Sequence, residues 1–186
     1  MSETPIQRRT ARADYAPATH AFLVEKARCW LSSPTGGGCP VVVTELATSG
    51  EEPDAIGWRG GWSIIVECKS SREDFRRDAQ KHFRRSSDRG IGGQRYLLVP
   101  VGLIEASEIP EGWGLLVLSG RTVQLVKKPP LHEAINWRHV MEILSSTLRR
   151  VGHACPSGVN IRCYPLRKVP EHGMATRATL TTVGES

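Results

Sequence analysis

The stretch Pro53-Asp54-Ala55-Ile56-Gly57-Trp58-Arg59-Gly60-Gly61-Trp62-Ser63-Ile64-Ile65-Val66-Glu67-Cys68-Lys69 decides the fold. Residues 54–58 and 62–69 read as two strands, and Gly60-Gly61 suits a tight hairpin turn between them. Side chains alternate along a strand, so Trp62, Ile64, Val66 and Cys68 are expected to form an apolar face. Glu67 and Lys69 then project together on the other face, where the strand runs out. Pairing across the hairpin brings Asp54 near Glu67.

Two carboxylates held close repel, and a hard divalent cation relieves the repulsion. Mg²⁺ suits such a pair because it takes oxygen ligands, keeps several waters and accepts phosphate oxygens; Mn²⁺ is the alternative. Lys69 adds a cation that can orient a metal-activated water and offset charge building on a phosphorus centre. Asp54, Glu67 and Lys69 are therefore the candidate catalytic residues, for attack on a phosphodiester. Each also has an ordinary reading, since Pro-Asp is frequent in turns and Glu-x-Lys pairs occur on surfaces. Their joint placement at one strand end favours the site.

Working outward, Leu23, Ala27, Trp30 and Leu31 recur at helical spacing over residues 17–31. Ser32 to Pro40 breaks the chain before a β-branched strand at 41–46. Residues 70–85 carry a thin apolar stripe of Phe75, Ala79 and Phe83, which suits a surface helix capped by Ser70 or Ser71. Gly90-Ile91-Gly92-Gly93 reads as a flexible crossover into a buried strand at 96–99. Strands at 113–118 and 123–126 follow, then a helix with Trp137, Val140, Met141, Leu144, Leu148 and Val151 on one face. This order predicts an α/β fold, a central mixed sheet flanked by helices. Residues 1–16 are expected to be a basic arm, 17–151 the folded domain, and 152–186 a C-terminal extension.

Composition narrows the class. Of 186 residues, 39% are hydrophobic and 24% charged, as in globular proteins. The net charge of +6 is compatible with a polyanionic partner. No apolar run is long enough to span a bilayer, and Met1 to Pro5 leads into no apolar stretch, so a cytoplasmic protein without a membrane partner is expected. The five cysteines (29, 39, 68, 155, 163) form no Cys-x-x-Cys pair and read as reduced thiols. His153, Cys155, Cys163 and His172 match no standard zinc spacing. The histidines lack a nucleophile at recognisable spacing, so Ser-His or Cys-His catalysis is not supported.

Pro53-Asp54 followed by Glu67-Cys68-Lys69 resembles the signature of the PD-(D/E)XK nuclease superfamily, and the element order resembles its restriction-endonuclease-like core. Glu67-Cys68-Lys69-Ser70-Ser71 with Asp74-Phe75, Asp78 and Lys81 is similar to the MmcB-like and phage-borne branch. So are Arg95 to Pro100, Gly102-Leu103-Ile104 and Pro110 to Leu116. The resemblance covers residues of about 20 to 127. It implies a metal-dependent nuclease in DNA repair, recombination, defence or phage biology, with Asp54 and Glu67 as metal ligands and Lys69 as the catalytic lysine. It also implies the Cys68 carbonyl as a further ligand and an auxiliary acid from an early element. Glu45, on the strand face of Val41 and Val43, is the better auxiliary candidate; Glu25 lies opposite its helix's apolar face and reads as solvated.

Residues 70–95 hold eight basic side chains against four acidic ones. Arg72, Arg76, Arg77, Lys81, Arg84 and Arg85 are the candidate nucleic-acid contacts, suited to the phosphate backbone. DNA is the expected partner, with RNA and a homodimer both compatible. The rival reading is a catalytically silent nucleic-acid-binding module on the same fold, and a third is an accessory factor acting through its tail.

Overall fold

A computed structural model describes residues 18–46, 52–78 and 90–151. The chain order is α1 (His20–Ser32), β1 (Val41–Thr44), β2 (Ala55–Arg59), β3 (Trp62–Cys68), α2 (Arg72–Asp78), β4 (Gln94–Pro100), β5 (Gly114–Ser119), β6 (Thr122–Lys127) and α3 (Trp137–Val151), with a short 3₁₀ turn at Ala106–Glu108. The strands form one sheet in the order β1-β2-β3-β4-β5-β6. β3, β4 and β5 run parallel in the centre, and antiparallel pairings add β2 and β1 on one side and β6 on the other. The fold is α/β, a mixed sheet flanked by helices.

Both sheet faces are buried, each for a sequence reason. On one, Leu23, Val24, Ala27 and Leu31 of α1 pack on Ala55, Ile64, Val66, Cys68, Tyr96 and Leu98. Helical spacing lines those four up on a single stripe. Gly57 makes room for Cys39 on this face, because a Cβ there would sit 2.7 Å from the Cys39 sulfur. On the other face, Ile56, Ile65, Leu97, Val99 and Leu115 meet Trp113, Ile104, Ile109 and the α3 residues Val140 and Ile143.

The expectation of a one-sided apolar β3 is thus corrected. Strands at the centre of a parallel sheet are covered on both faces, and Ser63 and Ile65 are as buried as Ile64 and Val66. α3 is rotated from its expected setting. Val140 and Ile143 face the core, while Met141, Leu148 and Val151 are exposed. The Gly90–Gly93 crossover is pinned rather than flexible. The Gly90 and Gly93 carbonyls accept from the amides of Asn136 and His132, at 3.0 and 2.8 Å. Gly92 there has φ +85°, and a Cβ on it would lie 2.9 Å from Ile65. α1 starts later than expected because Thr19 caps it, its hydroxyl accepting from the Phe22 amide at 3.3 Å. The 1–16 arm, the 152–186 extension with its His153, Cys155, Cys163 and His172, and residues 79–89 lie outside the described residues.

Candidate active site

The β2–β3 hairpin turns through Gly60 and Gly61, both at positive φ, where glycine carries no steric cost. Its register pairs Ala55 with Val66, which sets Asp54 opposite Glu67 at the open end of the ladder. Asp54 does more than arrive there. Its Oδ2 accepts a 2.7 Å hydrogen bond from the Cys68 amide, and its backbone carbonyl accepts from the Glu45 amide at 3.1 Å. Three chain segments are thereby tied at one residue, through its carboxylate and its backbone carbonyl.

Glu67 and Lys69 follow on the same side of the chain, and the Lys69 Nζ lies 3.4 Å from Glu67 Oε2. Both residues are buried, 3% and 5% exposed. A carboxylate and an ammonium taken out of water in this way are costly unless they compensate one another, and here they do. Lys69 lies just past the end of β3, yet its amide still donates to the Leu98 carbonyl at 3.0 Å. That bond to β4 fixes the backbone beneath its side chain.

The sequence reading missed His20. Its Nε2 approaches Asp54 Oδ1 at 3.3 Å from the first turn of α1. No spacing rule links a helix start to a distant hairpin, so only the packing of α1 on the sheet reveals this contact. Glu45 departs from its expected place. β1 ends at Thr44, and Glu45 is exposed with φ +49°, a left-handed conformation uncommon outside glycine. The alternation that would have set it beside Val41 and Val43 therefore stops short of it. Glu25 is the exposed residue the sequence suggested. Its bond to the Arg28 guanidinium, at 2.6 Å, and a further one from the Cys29 thiol hold its pKa down at about 2.

Cys68 is no nucleophile. Burial pushes its thiol pKa well up, and the nearby Asp54 and Glu67 carboxylates push it further. Among the described residues, no group of three or more His, Cys, Asp and Glu side chains is placed to hold a metal. The hairpin register sets two carboxylates, Asp54 and Glu67, opposite one another. Hard oxygen donors of this kind fit Mg²⁺, which binds through one or two carboxylates and completes its shell with water and substrate phosphate.

α2 leaves directly from this end of β3. The Ser71 hydroxyl caps it by accepting from the Asp74 amide at 3.1 Å. Arg76 and Arg77 are exposed, with Arg77 paired to Glu73 at 2.9 Å. Arg72 instead makes a two-pronged bond to Glu108 at 2.9 and 3.0 Å. The Glu105 amide and this guanidinium hold the Glu108 carboxyl below its usual range. Lys81, Arg84 and Arg85 lie outside the described residues. Arg95 does not belong to the basic surface, because it is buried and its Nε donates to the Gly92 carbonyl at 3.1 Å.

No protein-family model and no curated protein matches the chain. A solved structure of SPO1766, a protein of unknown function from Silicibacter pomeroyi, is similar to it, with a TM-score of 0.54 and 22% identity. The match covers 76% of this chain and 92% of that one. At that identity the likeness is one of fold, and it places the mixed sheet with its flanking helices in company with a known architecture.

Proposed function

We propose that this protein is a Mg²⁺-dependent nuclease of the PD-(D/E)XK type, hydrolysing phosphodiester bonds of DNA. The observation that carries the reading is the placement of Asp54 opposite Glu67 at the end of the β2–β3 ladder, with Lys69 buried against Glu67. Asp54, Glu67 and the Cys68 carbonyl would hold the metal, which when bound supplies Lewis-acid stabilisation and a more acidic water. The chain's own residues prepare that site. The Cys68 amide fixes the orientation of Asp54, and Lys69 sets a cation where negative charge develops on the phosphate. α2 starts three residues after Lys69, and its exposed Arg76 and Arg77 suit the phosphate backbone. No helix among the described residues is long and apolar enough to cross a membrane.

A second reading, a silent nucleic-acid-binding module, draws on the same contacts. Both Asp54 oxygens already have partners in the Cys68 amide and His20, and Glu67 is compensated by Lys69. One experiment separates the two. Incubation with linear, nicked, branched and single-stranded DNA, with Mg²⁺ or with a chelator, gives metal-dependent cleavage for a nuclease. Binding of these substrates without cleavage of any of them gives the silent module.

A further inference from the structure

The opposite end of β3 holds a second feature. A cleft of about 610 Å³ opens beside Trp62 and Pro129, and a neighbouring one of about 400 Å³ opens beside Trp30 and Tyr96. The two share Arg59, Ile64, Gln94 and Lys128 in their walls, so they adjoin. Ile64 and Gln94 are partners in the parallel β3–β4 ladder, which sets the clefts at its beginning, whereas Glu67 and Lys69 lie at its end. Glu67 lies three positions along β3 from Ile64, roughly 10 Å.

The lining has a consistent chemistry. Arg59 and Lys128 provide two cations, and among the described residues no Asp or Glu lines either cleft. One guanidinium N–H of Arg59 is used on the Gly37 carbonyl at 3.3 Å, and among the described residues its other donors make no hydrogen bond. Lys128 forms no ion pair among the described residues. Aromatic walls flank these cations on both sides. Trp62 is steadied by Trp137, ring centroids 5.8 Å apart, and Trp30 by Tyr96 at 5.0 Å. Gln94 contributes an amide that can both donate and accept.

We infer that these adjoining clefts bind a nucleotide carrying a terminal phosphomonoester, with the phosphate between Arg59 and Lys128 and the base against the aromatic walls. Two cations match the near-dianionic charge of a phosphomonoester at neutral pH better than the single charge of an internal diester. A cleft of this size falls in the range of small-ligand sites. Stacking on aromatic rings is tolerant of base identity, so no one base is selected by it. The inference stands apart from the nuclease reading, because it uses none of Asp54, Glu67 or Lys69.

Calorimetric titration in a chelator tests it, with adenosine monophosphate, adenosine, inorganic phosphate, and a tetranucleotide with and without a 5′-phosphate. Expected is binding of adenosine monophosphate at least tenfold tighter than of adenosine or of phosphate. The exposed double variant Arg59→Gln/Lys128→Gln, shown folded by circular dichroism, should lose at least tenfold. A phosphorylated tetranucleotide that binds as well as the mononucleotide identifies a strand end as the source; one that does not bind identifies the free nucleotide. Absence of nucleotide binding at millimolar concentration overturns the inference. So does undiminished binding by the double variant, or equal binding of adenosine and its monophosphate. Because no metal is present, none of these failures bears on cleavage.

Discussion

Asp54 and Cys68 are joined across the mouth of the β2–β3 hairpin, the Cys68 amide donating to Asp54 Oδ2 at 2.7 Å. A candidate metal ligand is therefore also a structural clamp, and substitutions there should separate the two roles.

Asp54→Asn keeps an oxygen for the Cys68 amide while removing the charge. Folding should survive, and Mg²⁺-dependent cleavage should fall by roughly a hundredfold or more as water activation is lost. Asp54→Ala removes the clamp as well and should cost about 1 kcal/mol of stability. Cleavage assays beside denaturant melts check both, and a folded Asn variant cutting at the wild-type rate would falsify the assignment of Asp54.

Lys69→Met tests the buried pair. Removing the ammonium breaks the buried Lys69–Glu67 pair, and breaking such a pair costs on the order of 3–5 kcal/mol. Mg²⁺ should then raise the melting temperature of the variant more than that of the wild type, because the metal takes over part of the lost compensation. Equal shifts in both proteins would mean that Glu67 does not bind the metal.

Arg76→Ala should weaken DNA binding and reduce the salt dependence by about one counterion. Arg72→Ala should do less to binding and more to stability, because Arg72 already holds Glu108. Binding isotherms at several salt concentrations decide the matter, and identical slopes for Arg76→Ala and the wild type would remove α2 from the interface.

Cys68 should resist alkylation in the native state at pH 8, while the exposed Cys29 reacts, as peptide mass mapping can show. Its thiol pKa is raised in the folded protein by burial and by Asp54 and Glu67. Its contribution to stability is therefore complete below the ordinary thiol value of 9.0 and is lost as pH rises above it. Cys68→Ala should flatten the fall in stability between pH 8 and 10. An unchanged slope would show that Cys68 is not its source.

Gly57→Ala should destabilise the core by about 1–3 kcal/mol through overpacking. The added methyl would meet the Cys39 sulfur at 2.7 Å and its Cβ at 2.8 Å. A melting temperature equal to the wild type would show that the Cys39 loop yields at no cost.

Local patterns carried much of this structure in the sequence. The hairpin register, the end-to-end extent of α3 and a serine cap at Ser70 or Ser71 all follow from turn chemistry and periodicity within a few residues. What remained hidden depends on what packs from afar. Alternation could not show that both faces of β3 are covered, since burial of the second face comes from α3 and the segment around Trp113. Composition could not show that Arg95 is buried, because a charge count does not see which cation the Gly90–Gly93 backbone encloses. The joint placement of Asp54, Glu67 and Lys69 at one strand end was legible because one hairpin supplies them. His20 was not, because it reaches Asp54 only through the docking of α1.

The wiring of the sheet has a consequence for how the site comes into being. Asp54, the Gly60-Gly61 turn and Glu67 belong to a single hairpin, and hairpins close on a timescale of about 1–10 μs. The parallel docking of β4 must wait for the long connection from Lys69 to Gly93, whose loop entropy delays it. The two carboxylates can therefore come together before β4 docks, in water that screens their repulsion. The Lys69 amide bonds to Leu98 of β4, so burial of Glu67 and Lys69 needs that strand in place. Pulse-labelled amide exchange during refolding should accordingly find the Cys68 amide protected before that of Lys69.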